Sequence, residues 1–204
     1  MKNAQFIVSA IACAATAGIA SAQIELATNG GFETGDTSGW ADFSSGTQTF
    51  GVTSDANSGN WAGVFNNTDP GTAGTIKQAN IGIGQVGVGE EVTISFAAKA
   101  NLGPGGVLFA EFFSELSGGG TSAGGILGGA PLAVTDQWQT FNFTAITGSD
   151  VSGGVTLQFN GATGAFDGST IEYFVDDVSI TIVPTPAVAS LLGMGGLVAM
   201  RRRR

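Results

Sequence analysis

A chain of 204 residues has room for one domain and its targeting segments. With 43% apolar residues it is globular in composition despite 34 glycines, which excludes a disordered chain. The formal charge of −9 conceals an asymmetry. Arg201 to Arg204 supply most of the basic residues, and with both ends removed only Lys77 and Lys99 face 16 acids, a charge of −14. Such a surface repels phosphate backbones and excludes nucleic acid as a partner. There is no histidine, and the only cysteine, Cys13, lies in the N-terminal apolar run. Histidine- or thiol-dependent catalysis, the usual zinc sites and disulfides are thereby excluded from the body.

In chain order, Met1 to Ala22 reads as a signal helix for export. Lys2 gives the charged start, Phe6 to Ala20 the apolar run, and Ala20-Ser21-Ala22 the small-residue site at which signal peptidase would cut between Ala22 and Gln23. From Ile24 the pattern becomes alternation broken by glycine, the mark of many short strands. The predicted strands are Ile24–Ala27, Trp40–Ser44, Gln48–Thr53, Trp61–Asn66, Thr75–Gln78, Glu91–Ala100, Val107–Leu116, Gln139–Ile146, Gly154–Asn160 and Ile171–Ile182. Each of the longer ones has one apolar and one polar face, as in antiparallel sheets buried on one side. The glycine-rich 117–125 segment reads as an exposed loop. The fold class is therefore all-β, an antiparallel β-sandwich of jelly-roll kind over 23–183. It is flanked by the N-terminal signal helix and a C-terminal transmembrane-like helix.

The last strand carries the most information. Phe174, Val178, Ile180 and Ile182 share one parity and hence one predicted face, and Asp176 shares it too. A carboxylate on an apolar face must be paired, hydrogen-bonded or metal-bound, because burying it alone costs several kcal/mol or more. Its predicted counterpart is the first loop, Asn29 to Trp40, which makes the first and last strands neighbours.

At Pro184 the composition changes. Pro184-Thr185-Pro186 breaks the sheet. Ala187 to Met200 is apolar, and Arg201, Arg202, Arg203 and Arg204 end the chain. Fourteen helical residues span roughly 21 Å at ~1.5 Å each, against the ~30 Å of a bilayer core. The embedded state is thus marginal and transient, with the arginines kept inside as a stop signal.

These three parts in this order resemble the PEP-CTERM sorting signal of exported bacterial proteins, with Thr185 in place of the motif's glutamate. The resemblance implies processing near Pro184, Thr185 and Pro186 by an exosortase-like transpeptidase, and residence in the cell envelope, at the cell surface or outside the cell. The body resembles galactose-binding-like jelly rolls, in particular carbohydrate-binding modules of the family 4/9 type. The residues concerned are Asn29-Gly30-Gly31-Phe32-Glu33, Gly39-Trp40, Trp138-Gln139-Thr140-Phe141 and Phe174-Val175-Asp176-Asp177-Val178-Ser179-Ile180. That resemblance implies a structural Ca²⁺ tying the first loop to the last strand. Glu33 and Asp176 are the matching ligands, and main-chain carbonyls complete the shell. The alternative reading of the same residues has Asp176 accepting hydrogen bonds from loop amides and Glu33 capping a turn.

An enzyme is not expected. Glu111 and Glu115 lie roughly 13 Å apart along a strand at ~3.3 Å per residue, too far for a glycosidase pair. Glu90-Glu91 reads as a solvated turn, and the glycine pairs at 82–84 and 87–89 lack a following helix or lysine. A sugar-binding face would combine aromatic rings with amides and carboxylates. Phe109, Glu111 and Phe113 on one strand, with Asn142, Gln158 and Asn160 on others, are the predicted ligand-binding set for an extracellular polysaccharide. The competing readings are a structural surface or matrix protein without a discrete ligand and, more distantly, a secreted hydrolase.

Overall fold

A computed structural model describes residues 22–183. The signal segment up to Ser21 and the whole tail from Pro184 lie outside the described residues, so the two flanking helices, the Pro-Thr-Pro motif and the arginine cluster do too. Among the described residues no helix is long and apolar enough to cross a membrane.

Eleven strands form two antiparallel sheets. They are β1 (Ile24–Glu25), β2 (Ala41–Asp42), β3 (Thr49–Thr53), β4 (Ala62–Asn67), β5 (Ala73–Ile81), β6 (Glu91–Leu102), β7 (Val107–Glu115), β8 (Thr121–Ile126), β9 (Gln139–Ile146), β10 (Val155–Ala162) and β11 (Ile171–Ile182). A single 3₁₀ turn, Leu127–Gly129, follows β8. The first sheet runs β3-β4-β11-β6-β9, the second β2-β5-β10-β7-β8. On the edge of β11 away from β6, β4 pairs with the first half of the strand and β1 with the second, Ile24 opposite Ile182. First and last strands therefore meet, as expected.

The core fills the space between the sheets. Val92, Ile94, Phe96 and Ala98 of β6 point inward, as do Leu108, Ala110 and Phe112 of β7 and Val155, Leu157 and Phe159 of β10. The period-2 alternation in these strands is thus the reason for the layer. Phe96 meets Phe159 edge-to-face at 4.9 Å between centroids, and Phe65 stacks on Tyr173 at 5.0 Å. Among the described residues the core and both sheets lie wholly between Ile24 and Ile182, and two packed sheets around one core are what a segment needs to fold as a unit.

Two expectations are corrected here. The 117–125 segment is not all loop: Thr121–Ile126 is β8, paired to β7 from Glu111 opposite Ile126 to Glu115 opposite Thr121. Glycine has low strand propensity, but an edge position lets Gly124 and Gly125 join a ladder whose partner supplies the side chains. The single-face reading of β11 also fails. A bulge between Asp176 and Ser179 shifts the register against β6, with Asp177 in the left-handed region at φ 50°. Before it the inward residues are Ile171, Tyr173 and Val175; after it they are Val178, Ile180 and Ile182. A bulge inserts one residue and inverts the parity beyond it. Phe174 and Asp176 consequently lie on the outward face of the first sheet.

Candidate functional site

Asp176 is fully buried although it faces away from the core, because the β3–β4 loop folds over it. The backbone N–H groups of Asn57 and Ser58 donate to its Oδ2 at 2.8 and 3.0 Å, and the N–H of Asp177 donates to Oδ1 at 2.7 Å. Asp177, exposed on the bulge, accepts from Asn57 Nδ2 at 2.7 Å and from Ser58 Oγ at 2.6 Å. Glu33 takes the far end of the same loop, accepting at Oε1 from the N–H groups of Asn60 (2.8 Å) and Trp61 (3.0 Å) and at Oε2 from Asn60 Nδ2 (3.2 Å). Three carboxylates thus grip one loop. Burial pushes the Asp176 carboxyl up, opposed by the amides of Ser58, Asp177 and Asn57, while the neighbouring Asp177 charge adds to the rise. The Trp61 and Asn60 amides hold Glu33 below the ordinary carboxylate range.

The first loop closes against the bulge through glycine. Gly30 O accepts from Val178 N–H at 3.0 Å, and a Cβ at Gly30 would overlap the Val178 carbonyl oxygen. A Cβ at Gly31 would sit 3.7 Å from both Asp176 Oδ1 and Glu33 Cγ, between the two acids. Both carboxylates accept loop amides, as the alternative reading of these residues has it, while Oδ1 and Oε2 each accept one hydrogen bond and keep a lone pair that a cation could use. Among the described residues no group of three or more acidic, histidine or cysteine side chains could hold a metal ion.

Of the predicted ligand-binding residues, five come together. Phe109, Glu111 and Phe113 of β7 and Gln158 and Asn160 of β10 share the outward face of the second sheet, all half-buried. Their polar groups are engaged with one another or with β5: Gln158 Nε2 donates to Glu111 Oε2 at 2.6 Å, and Asn160 Nδ2 to Thr75 Oγ1 at 3.1 Å. Phe113 packs over Gly124, where a Cβ would collide with its ring. Asn142 does not join them. It is exposed on β9, opposite Ser95 of β6, and belongs to the other sheet. Alternation places a residue on a strand face but is silent about which sheet the strand enters.

A second polar region, absent from the sequence expectations, lies at the end of the first sheet. Asn66, Glu172 and Asn101 stand side by side on β4, β11 and β6, and Asn101 Nδ2 donates to Glu172 Oε2 at 2.8 Å. Two hollows of about 450 and 240 Å³ flank this row and share Asn101 and Thr170. Thr68 borders one, Leu102 and Asp136 the other. One row inward, Lys99 Nζ lies 4.7 Å from the Phe174 ring centroid and 5.2 Å from that of Trp138, and is paired to Asp55 at 2.6 Å. Trp138 therefore packs outside the core, and its Nε1 is buried with no partner among the described residues. The signal for this region was the alternation of Glu172, Phe174 and Asp176, hidden by the unforeseen bulge.

The fold and the faces define a two-sheet jelly-roll sandwich with polar outward surfaces. No protein-family model and no curated protein sequence matches the chain. Among solved structures it is similar to the enzymatically active domain of bacteriophage CBA120 tailspike protein 4, at a TM-score of 0.60 and 17% identity over 77% of this chain. The chain spans only 21% of that tailspike chain. It is also similar to the CBM22-1 xylan-binding domain of Paenibacillus barcinonensis Xyn10C, at a TM-score of 0.53 and 19% identity, covering 79% of this chain and 94% of the other. A third is the CBM22-1–GH10 portion of a Clostridium thermocellum xylanase solved with xylohexaose, at 0.53 and 17%, covering 79% and 28%. These likenesses establish the shared sandwich fold.

Proposed function

We propose that residues 23–183 form a non-catalytic carbohydrate-binding module, borne by an exported chain whose tail is a PEP-CTERM-type sorting signal. The observation that carries the binding reading is the trough at the end of the first sheet. Asn66, Asn101, Glu172, Thr170 and Asp136 offer the amide, carboxylate and hydroxyl groups that order sugar hydroxyls, beside exposed Leu102. The xylan-binding neighbours of the same fold support this reading. The polysaccharide is a neutral one: Lys99 is committed to Asp55 and Lys77 lies over the Phe43 ring, which leaves acids to meet the ligand.

The face of Phe109, Glu111, Phe113, Gln158 and Asn160 is the second reading, favoured by two rings flanking a hydrogen-bonded carboxylate–amide pair. Alanine variants separate the two. Glu172→Ala and Asn101→Ala should each weaken binding roughly tenfold, the loss of about 1.4 kcal/mol, without unfolding the domain. The reverse pattern, with losses only in Phe113→Ala and Gln158→Ala, moves the site to the second sheet. Failure of the unmodified domain to bind any polysaccharide favours a structural surface or matrix protein.

The same reading includes a structural calcium held by Glu33 and Asp176 with main-chain carbonyls. When bound it supplies a cross-link between the first loop and the last strand. A ligand that binds only the folded state stabilises it by ~2.7 kcal/mol at a hundredfold excess over its dissociation constant. Thermal melts of 23–183 in calcium should therefore lie above melts in EDTA. Coincident melts with no metal by elemental analysis leave the amide hydrogen bonds as the whole of the clasp.

A further inference from the structure

We propose that the β8–β9 side of the sandwich is a self-association surface, at which β9 pairs antiparallel with β9 of a second copy of this chain. Among the described residues β9 ends the first sheet and pairs only with β6, and β8 ends the second and pairs only with β7. Their outer edges, beside which the 3₁₀ turn sets Gly128 against the Phe143 ring, border a hollow of about 290 Å³ lined by Phe112, Ile126, Leu127, Ala145 and Ile146. Ile126 and Ile146 are exposed at its rim, by 37% and 61%.

Monomeric sheets blunt their edges with lysine, proline, inward charge or bulges. β9 has none of these. Its eight residues carry no charge and no proline, and its register against β6 runs unbroken from Glu91 opposite Ile146 to Ala98 opposite Gln139. The other ends of both sheets differ. β3 is followed closely by Asp55, and β2 is two residues long with Asp42 in it.

Charge selects the occupant. Between Leu116 and Ser149 the only charged residue is Asp136. The other 15 of the 16 acids lie elsewhere in the sequence. β8 and β9 themselves carry no charge, with Glu111 and Glu115 on β7 and Glu91 on β6 one strand behind them. Two copies of so acidic a domain repel through most orientations, and the uncharged edge strands are where they can approach. A strand edge pairing with itself about a two-fold axis satisfies both copies at once. This inference is independent of the sugar reading.

Sedimentation of the 23–183 segment over a range of concentrations tests it. A monomer–dimer equilibrium that strengthens with added salt is expected, since salt screens the repulsion between acidic bodies. Thr140→Glu with Thr144→Glu, both at exposed outward positions of β9, should weaken association roughly tenfold or more while leaving the melt unchanged, because antiparallel pairing brings like charges together on one face. A second pair at the opposite end of the first sheet, Thr49→Glu with Ser54→Glu, should leave association in place. A monomer at every concentration and salt overturns the proposal, as does a Thr140/Thr144 variant that associates as strongly as the unmodified domain.

Discussion

Asp176→Ala is expected to destabilise the domain by about 3 kcal/mol, the sum over two loop amides left without an acceptor where each buried orphan costs ~1–3 kcal/mol. The amides are those of Asn57 and Ser58, which have no other acceptor among the described residues, and Asp176 itself is fully buried. For a domain of this size the loss amounts to a fall in melting temperature of roughly 6–12 °C, at ~2–4 °C per kcal/mol. Asp176→Asn keeps one acceptor oxygen and should lose less. Gly30→Ala attacks the same junction from the first loop by driving a methyl group into the Val178 carbonyl, and overpacking of this kind costs ~1–3 kcal/mol. Denaturant melts of the three variants provide the check. An alanine variant at 176 within ~0.5 kcal/mol of the parent would put it among ordinary surface substitutions and show that the loop is held elsewhere.

The second large effect concerns the tail. Under the sorting reading, the mature protein from its host should lack every residue from the processing site onward, all four arginines included. The sheets close at Ile182, so Ala187 to Met200 has no place in the described core, while a run of uncharged apolar residues followed by arginines stops in a membrane with its charges inside. Mass spectrometry of the mature protein should find a body beginning at Gln23 and ending near Pro184-Thr185-Pro186. Replacing Arg201 to Arg204 with serine should release unprocessed protein to the medium. An exported, membrane-free form that still carries the arginines contradicts the reading.

Much of the sandwich is legible in the residues because burial on one side forces period-2 alternation. Val92 to Ala98, Leu108 to Phe112 and Val155 to Phe159 point as their spacing predicts, and first and last strands meet as expected. The buried acid is not the reason for that meeting: Asp176 finds its partners in the β3–β4 loop amides of Asn57 and Ser58, not in the first loop. What escaped has three physical causes. β8 has no alternation to read, since Gly124 and Gly125 place nothing on either face. The bulge at Asp177 costs one residue of register, and a left-handed aspartate leaves no local signature beyond a residue type tolerant of it. Sheet membership is decided by distant pairings, which is why Asn142 was grouped with β7 and β10 when its strand pairs with β6. The same bulge hid the trough: with Phe174 assigned inward, Glu172 had no place on a surface beside Asn66 and Asn101. Glu33 and Asp176 were singled out in the sequence as calcium ligands, and the loop amides they hold became visible only with the β3–β4 loop in place.

The most direct test of the carbohydrate-binding reading is affinity electrophoresis of the 23–183 segment through gels containing neutral polysaccharides, xylan first, and an acidic one such as polygalacturonate. Retardation by at least one neutral polymer, reduced in Glu172→Ala and absent with the acidic polymer, is the predicted result. Unretarded migration in every gel, or retardation by the acidic polymer alone, would contradict it.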